Sequence, residues 1–416
     1  MLTSFSTALS ALNATTTAID VVGNNLANLN TPGFKTSVVS FHDLVTQSLG
    51  AGLGETQVGF GVGSPITLRQ FTQGGLQTTG GTLDAAIQGD GFFVVKDSNN
   101  NTLYTRGGNL QVDLKGNLTT ATGEKLQGWT DFTGSGNVDT NTAVSDIVLP
   151  VGTLKAPTVT NTMSVDLNLN AGAVAGEATG AFSTSIEVFD SLGNSHMVTF
   201  NFTKSDTANQ WNYSVSVPDA DFGSAYTPVT GSLTFDGNGK LTSPTSTDAA
   251  PVIPLTGLAD GASDMSITWN IFNNGVPRIS QYSQTSATAA NDQDGGPAAN
   301  LIRVGLADGG KVVALYSNGT QTVVGQVAMA LIRNPQSLIA MGNSNFGLSA
   351  RSALPAVGLP NTGGRGAVLG GSVEGSTVDI AKEFTNLIVL QRAYQANSKV
   401  VTTVDQLSQD TINLKQ

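Results

Sequence analysis

The chain has 416 residues, a length that suggests roughly two to four domains. Its net charge of −11, with only 12% charged residues, argues against partners such as nucleic acid or an anionic membrane surface, which attract lysine and arginine. The absence of cysteine excludes a disulfide framework, a metal–thiolate site and a catalytic thiol. The 49 glycines, together with abundant Thr, Ser and Asn, favour β-structure with many tight turns.

The N-terminal sequence lacks the features of a Sec signal peptide. It has neither a basic region nor a continuous apolar core. No apolar run in the sequence reaches the roughly 20 residues needed to cross a bilayer. We therefore expect no membrane insertion.

A helix is predicted over residues 3–29, because apolar side chains recur there at alternating steps of three and four. The stripe consists of Leu2, Phe5, Leu9, Leu12, Ile19 and Leu26. The opposite face is polar but almost uncharged. The helix is expected to stop at residues 30–33, since Pro32 cannot continue it.

The long middle of the chain is predicted to be β-structure. A short apolar strand is expected at residues 92–95, and turn sequences at 189–194, 235–239 and 317–320 predict β-hairpins. Stretches near 150–160, 284–298 and 355–376 have the composition of linkers. Residues 151–284 are therefore interpreted as an insertion between two halves of another β domain.

A second long helix is predicted over residues 378–414, after a capping sequence at 376–379. Its apolar stripe comprises Ile380, Phe384, Leu387, Tyr394 and Val401, and continues after a slip of about one position with Val404, Leu407 and Leu414. Neither helix can bury its stripe alone. Either the two helices pack within the chain, on each other or on the β core, or they form a coiled coil between chains.

Nothing in the sequence predicts catalysis, a cofactor or a metal site. His42 and His196 are the only histidines, and neither has a second histidine or a cysteine at ligand spacing. His196 is expected to be a solvated or hydrogen-bonded strand residue. The acidic residues at 291–295 faintly resemble a calcium loop but lack its downstream glutamate, so a flexible linker explains them as well.

Two motifs at the ends of the chain resemble a known family. Residues 24–35 form the sequence Asn-Asn-Leu-Ala-Asn-Leu-Asn-Thr-Pro-Gly-Phe-Lys, and residues 391–397 form Gln-Arg-Ala-Tyr-Gln-Ala-Asn. Both are similar to the terminal signatures of the flagellar rod and hook proteins. By this resemblance we expect an assembly interface that includes both helical stripes and the motif residues Asn24, Asn25, Asn28, Pro32, Gly33 and Phe34.

The resemblance also implies a fold. It is mostly β with long terminal α-helices, built from discontinuous antiparallel β domains in a linear arrangement, with the terminal helices paired as a coiled coil. Residues 1–33 and 372–416 would form the helical domain, and 34–75 a connecting segment. Residues 76–150 and 285–371 would form an inner β domain, and 151–284 an inserted outer β domain.

The implied function is that of a structural subunit of the hook, without enzymatic activity. Its copies would polymerise into a flexible tube with a central channel and pass torque from rod to filament. Expected partners are other copies, the distal rod protein, the hook-capping protein, the hook–filament junction protein and the flagellar type III export apparatus. The chain would lie outside the cell without a cleaved signal peptide. The alternatives are a distal rod subunit, which would lack the large insertion, an extracellular β-rich adhesin, or a hydrolase domain carried on a filament.

Overall fold

The computed structural model describes residues 2–44, 46–48, 57–133 and 138–413. The chain divides into two compact units. The first unit comprises Met1–Val151, Arg303–Ala314 and Gln321–Gln416, and the second comprises Gly152–Ile302 and Leu315–Thr320. The finer, four-part division expected from the sequence stays a prediction.

Two long helices, α1 (Leu2–Ala27) and α2 (Ile380–Asn413), lie at the ends of the described chain. The first twelve strands are β1 Ser37–Ser40, β2 Thr46–Ser48, β3 Gln57–Gly59, β4 Ile66–Arg69, β5 Leu76–Thr78, β6 Ala85–Gln88, β7 Phe92–Lys96, β8 Thr102–Thr105, β9 Leu110–Val112, β10 Leu118–Thr120, β11 Lys125–Trp129 and β12 Ser145–Asp146. The next twelve are β13 Thr162–Asn170, β14 Ala181–Phe189, β15 Ser195–Lys204, β16 Gln210–Ser216, β17 Val229–Phe235, β18 Leu241–Ser243, β19 Val252–Leu255, β20 Met265–Trp269, β21 Phe272–Asn273, β22 Val276–Pro277, β23 Ile279–Tyr282 and β24 Ala287–Gln293. The remainder are β25 Leu301–Ala307, β26 Lys311–Tyr316, β27 Gln321–Val327, β28 Met329–Leu331, β29 Ile339–Gly342, β30 Asn345–Gly347, β31 Ala356–Gly358, β32 Ala367–Gly370 and β33 Ser372–Glu374. Short 3₁₀ segments lie at Ala178–Gly180, Asp219–Asp221, Asp308–Gly310 and Pro335–Ser337.

The core of the first unit is built around β7, which is buried on both faces. Phe93 and Val95 pack into one hydrophobic cluster, while Phe92 and Val94 pack into another. Successive side chains of a strand point to opposite faces, so a continuous apolar run is what a strand buried on both sides requires. β7 pairs antiparallel with β8, β11 and β28 inside a large sheet whose strands do not follow the order of the sequence.

The second unit consists mainly of two five-stranded sheets. One has the order β19-β20-β13-β23, with β24 also pairing with β13, and the other runs β14-β15-β16-β17-β18. Side chains from both sheets, including Leu167, Phe200, Trp211 and Trp269, form a single hydrophobic cluster. The pairing is antiparallel except that β13 runs parallel to β20 and β23.

The sequence predictions of regular structure are largely confirmed. The chain is mostly β with antiparallel sheets and two terminal helices, and hairpins join β14 to β15 and β17 to β18 at the predicted turns. Two of the predicted linkers are wrong: 284–298 contains β24, and 355–376 contains β31, β32 and β33. Pairing with distant strands organises these Gly-rich stretches. Neither helix has the length and apolarity needed to cross a membrane.

Candidate functional site

The terminal helices pack along each other as predicted. Their relative direction follows from a contact between the segments at their ends. Thr36, in the segment that follows α1, donates its backbone N–H to Oγ1 of Thr377, just before α2, at 2.9 Å. The end of one helix therefore lies beside the start of the other, and the pair is antiparallel. At the start of α2, Asp379 Oδ1 accepts from the Lys382 N–H at 3.1 Å, as an N-cap does.

The face of α1 that is buried within the chain is made of small residues. It comprises Ala8, Ala14, Thr15, Ala18, Val22 and Asn25, each at most 6% exposed. Three of these residues, Ala8, Ala18 and Asn25, lie one position before a member of the predicted stripe. The larger apolar side chains of the stripe are consequently turned outward: Leu9 is 45% exposed and Phe5 is 40% exposed. Leu12, Ile19 and Leu26 are half-buried.

The predicted stripe of α2 is also largely uncovered. Its exposed members are Ile380, Phe384, Tyr394 and Leu407, whereas Leu387, Val401 and Val404 are half-buried. Further apolar residues outside the predicted stripe, Ile388 and Val389, are about as exposed as these. The side chain of Leu2, and Leu414 altogether, lie outside the part of the chain that is described. Whether these residues contact other copies stays a prediction.

The helix pair is joined to the β-structure through the motif at residues 24–35. Asn25 is 1% exposed, and its side-chain amide makes a pair of hydrogen bonds with the Ser37 backbone: Nδ2 donates to O at 2.8 Å and N donates to Oδ1 at 3.1 Å. Gly33 adopts φ +69° and its N–H donates to Glu374 O at 2.8 Å. A Cβ at Gly33 would come within 2.7 Å of the Arg106 carbonyl carbon, so this position requires glycine.

A buried trio of charges lies beneath this junction. Lys35 Nζ is 2.7 Å from Glu374 Oε1, and Arg106 NH1 is 3.1 Å from Glu374 Oε2. Glu374 Oε1 also accepts from the Gly74 N–H at 2.7 Å, and Lys35 Nζ donates to Thr72 O at 2.6 Å. Burial lowers the pKa of Lys35, while the Glu374 carboxylate opposes that shift. Glu374 thus balances two buried cations and links β33 to the start of the chain.

The other motif residues line a cavity of about 750 Å³ in the first unit. Asn24, Asn28, Pro32 and Phe34 line it, together with Ala340 and residues 342–346 of the β29–β30 hairpin. The motif residues therefore lie in two places: some line the cavity, whereas Asn25 and Gly33 are buried in the junction between the helices and the β-structure. Lys35 belongs to the motif recognised in the sequence, whereas Glu374 was missed because it lies in a stretch that was interpreted as a linker.

Of the candidate chemical residues in the second unit, His196 is placed as expected and the acidic stretch is not. His196 is 5% exposed and its Nε2 is hydrogen-bonded to Asp190 Oδ2 at 3.1 Å, so of the two expected roles it has the hydrogen-bonded one. The acidic stretch at 291–295 is not a flexible linker. Its first residues continue β24, and Asp294 Oδ1 accepts from the backbone N–H groups of Asn161 and Thr162.

Comparison with protein families gives four matches along the chain. Residues 5–35 match the flagella basal body rod protein family, and residues 86–168 match the flagellar hook protein FlgE/F/G D1 domain. Residues 166–295 match the flagellar basal body protein FlaE D2 domain, and residues 369–414 match the C-terminal domain of the flagellar basal body rod FlgEFG proteins. Together these matches include the insertion, for which the sequence itself offered no recognisable motif.

Individual relatives match over their whole length. The chain is 31% identical to the flagellar hook protein FlgE of Borreliella burgdorferi, with 100% of both chains covered. It is 32% identical to the hook protein FlgE of Salmonella typhimurium, with 99% of this chain and 100% of that protein covered. The crystal structure of Helicobacter pylori flagellar hook protein FlgE2 has a similar fold, with a TM-score of 0.52 at 14% identity, covering 73% of this chain and 100% of that one.

Proposed function

The chain belongs to the flagellar hook protein family, and on that premise we propose that its copies assemble through the apolar faces that both terminal helices leave exposed. As a hook protein it is a structural subunit that polymerises in the flagellum and is not an enzyme. The proposed interface consists of the two helical stripes predicted from the sequence. Asn25 and Gly33 would act indirectly, by holding the helices on the β-structure.

The observation that supports this proposal is a difference in side-chain size between the buried and the exposed faces of the helices. Within one chain the helices bury mainly alanine, threonine and valine on α1, while Phe5, Leu9 and Phe384 keep 40%, 45% and 52% of their surface exposed. Large apolar side chains left exposed along both helices indicate a surface that other protein covers. Their further burial would favour association by about 1 kcal/mol for each side chain that is half exposed.

We also propose that the tube resists twisting and permits bending through different parts of the chain. The helical faces would supply a tightly packed inner layer. Residues 151–284 carry 11 acidic and 4 basic residues, a net charge of −7, on a largely polar surface. Such a surface gains little from burial, so outer domains of neighbouring copies would slide past one another as rigid bodies. Deleting 158–284 should therefore alter the bending stiffness of the polymer, and unchanged stiffness would contradict the sliding.

The finer partners are part of the same proposal. The subunit would be exported by the flagellar type III apparatus, assemble beneath the hook-capping protein outside the cell, and contact the distal rod protein at one end of the tube and the hook–filament junction protein at the other. Both terminal motifs resemble the signatures of the rod and hook proteins, and this similarity supports contact between like helices at the rod end.

Deletion of residues 378–416 tests the proposed interface. This truncation removes α2 but keeps Glu374 and Thr377, so the buried junction remains and the β-structure should stay folded. We expect a monomer that unfolds cooperatively in circular dichroism and sediments as a single species. In electron micrographs it should form no tubes under conditions where the full chain does. Tubes formed by the truncated chain would contradict the proposal.

A further inference from the structure

Three loops of the second unit meet around the buried side chain of His196. Asp190 lies in the turn before β15, Asp221 ends a 3₁₀ segment, and Asp260 lies in the loop after β19. The loops that carry Asp221 and Asp260 are tied together through the backbone, because Ala259 N donates to Asp221 O at 3.0 Å. Three carboxylates are thereby held around one imidazole.

The distances in this cluster suit a metal ion. His196 Nε2 lies 3.1 Å from Asp190 Oδ2 and 3.7 Å from Asp260 Oδ2, and ligand atoms of the three residues all lie within 4.8 Å of one another. Tetrahedral zinc with bonds of about 2.1 Å places its ligand atoms about 3.4 Å apart. The two distances from Nε2 bracket that value, so a small adjustment of side chains would centre an ion between them.

We propose that Asp190, His196 and Asp260 bind a divalent transition-metal ion of the zinc type, with water as the remaining ligand. One imidazole and two carboxylates are a donor set that zinc accepts in proteins. The ion would fasten the turn before β15 to the loop after β19. The sequence did not predict this site, because its ligands come from separate loops and include a single histidine.

Comparison with two similar turns elsewhere in the chain shows how the site is built. Asp97 and Asp113 each accept two backbone N–H bonds on Oδ1, and their Oδ2 accepts from the side-chain amide of the asparagine four residues on. Asp190 makes the same two backbone bonds, from Leu192 and Asn194. Here, however, the Asn194 amide donates to Asp260 Oδ2 at 3.0 Å. Asp190 Oδ2 is thus left facing His196, while Asn194 orients the second carboxylate.

The charges around the site favour a cation. Among the described residues, every ion pair made by Asp190, Asp221 and Asp260 is with His196, so three carboxylates share a single base. A dication replacing the imidazole proton would reduce the excess negative charge.

Asp221 has the position of an outer-shell partner. Its Oδ2 lies 3.1 Å from His196 Nδ1, the ring nitrogen that faces away from the other two carboxylates. That nitrogen is buried and has no hydrogen-bond partner of good geometry among the described residues. Histidines that bind metal through one nitrogen usually donate the other N–H to a carboxylate. A slight turn of the ring on binding would bring Nδ1 and Asp221 into that arrangement.

Metal titration of the full-length monomer tests the proposal. The protein is stripped with a chelator and titrated at mildly alkaline pH with ZnCl₂ by calorimetry, and with CoCl₂ by visible absorption. We expect one saturable site per chain, a tetrahedral cobalt spectrum and a rise in the melting temperature. His196→Gln and Asp260→Asn should abolish or severely weaken binding. Asp221→Asn should weaken it roughly 10- to 100-fold.

His42→Gln is the matched control, because it removes the other histidine, which is exposed and lies in the first unit. This variant should bind like the parent chain. Asp260 is exposed, so Asp260→Asn should remain folded even where His196→Gln does not. The proposal is overturned if the parent shows no saturable site, if Asp260→Asn binds as tightly as the parent, or if His42→Gln loses binding.

Discussion

Replacing Glu374 by glutamine should detach the terminal helices from the β-structure at its buried anchor. The side chain of Glu374 is 0% exposed and accepts from Lys35, Arg106 and the Gly74 N–H. Glutamine has nearly the same shape, but it removes the negative charge and turns one acceptor oxygen into a donor. Lys35 and Arg106 would then face an uncharged group. One of the two would point its N–H donors at the NH₂ donor of the glutamine.

The expected loss is large because the partners cannot reach water. Removing one member of a buried ion pair typically costs about 3–5 kcal/mol, since an uncompensated charge is left behind. The matched control is Asp146→Asn in the same unit, whose partner Lys125 lies at a similar distance, 2.8 Å, but with 41% of its side chain exposed. Exposed pairs contribute about 0–1 kcal/mol, and asparagine retains an oxygen for its other partner, Gln127.

Urea denaturation of the monomer, followed by circular dichroism, measures both losses. Adding Lys35→Met to Glu374→Gln removes one of the two buried cations that have lost their counter-charge, and should recover part of the lost stability. If Glu374→Gln costs no more than Asp146→Asn, or if Lys35→Met deepens the loss of stability, then the buried trio does not hold the junction.

Three further predictions concern the first unit. Asn25→Ala should cost about 2 kcal/mol in urea denaturation, because it removes two buried hydrogen bonds to Ser37 at the start of β1. Asn24→Ala, at the exposed neighbour, should change little. Gly33→Ala should destabilise the fold by about 1–3 kcal/mol, because an alanine there would be strained and would clash with the backbone. Gly23→Ala, at a position in α1 with free space around it, should stabilise the fold by about 0.5–1 kcal/mol. Equal effects of the two substitutions in thermal melts would refute this. Burial opposes ionisation of Glu124, but hydrogen bonds from Thr120, Thr122 and Asn343 outweigh it, so its pKa lies below the ordinary value of 4.5. Its contribution is therefore fully present above pH 4.5 and is lost as pH falls through the lowered pKa, and Glu124→Gln should flatten the acid dependence of the melting temperature.

The parts of the fold that depend on neighbouring residues were predictable from the sequence. Both helices follow from the spacing of apolar residues and from local stop and capping signals. The β14–β15 and β17–β18 hairpins follow from turn chemistry, and β7 follows from its apolar run. Each of these signals lies within a few residues of the structure that it specifies.

The parts that depend on distant residues were not predictable. Lys35 and Glu374 are 339 positions apart, and nothing in the Gly-rich sequence around Glu374 distinguishes a buried strand from a linker. The cluster at His196 is assembled from three loops. On α1, adjacent stripes of small and large residues fit the same period, and the period does not say which stripe packs within the chain. Close approach of the two helices favours the alanine-rich face, and the larger residues are left for other contacts.

The most direct test of assembly through these larger residues is the critical concentration for polymerisation. Leu9→Ala together with Phe384→Ala removes two half-exposed apolar side chains, and the combined loss of about 2 kcal/mol should raise the critical concentration roughly 30-fold without lowering the melting temperature of the monomer. Leu114→Ala is the matched control, because this leucine is fully exposed and lies outside the helices. Sedimentation of polymer at a series of protein concentrations gives the value for each variant. We expect a large shift in critical concentration for the double variant alone. Equal critical concentrations in all three proteins would contradict assembly through these residues.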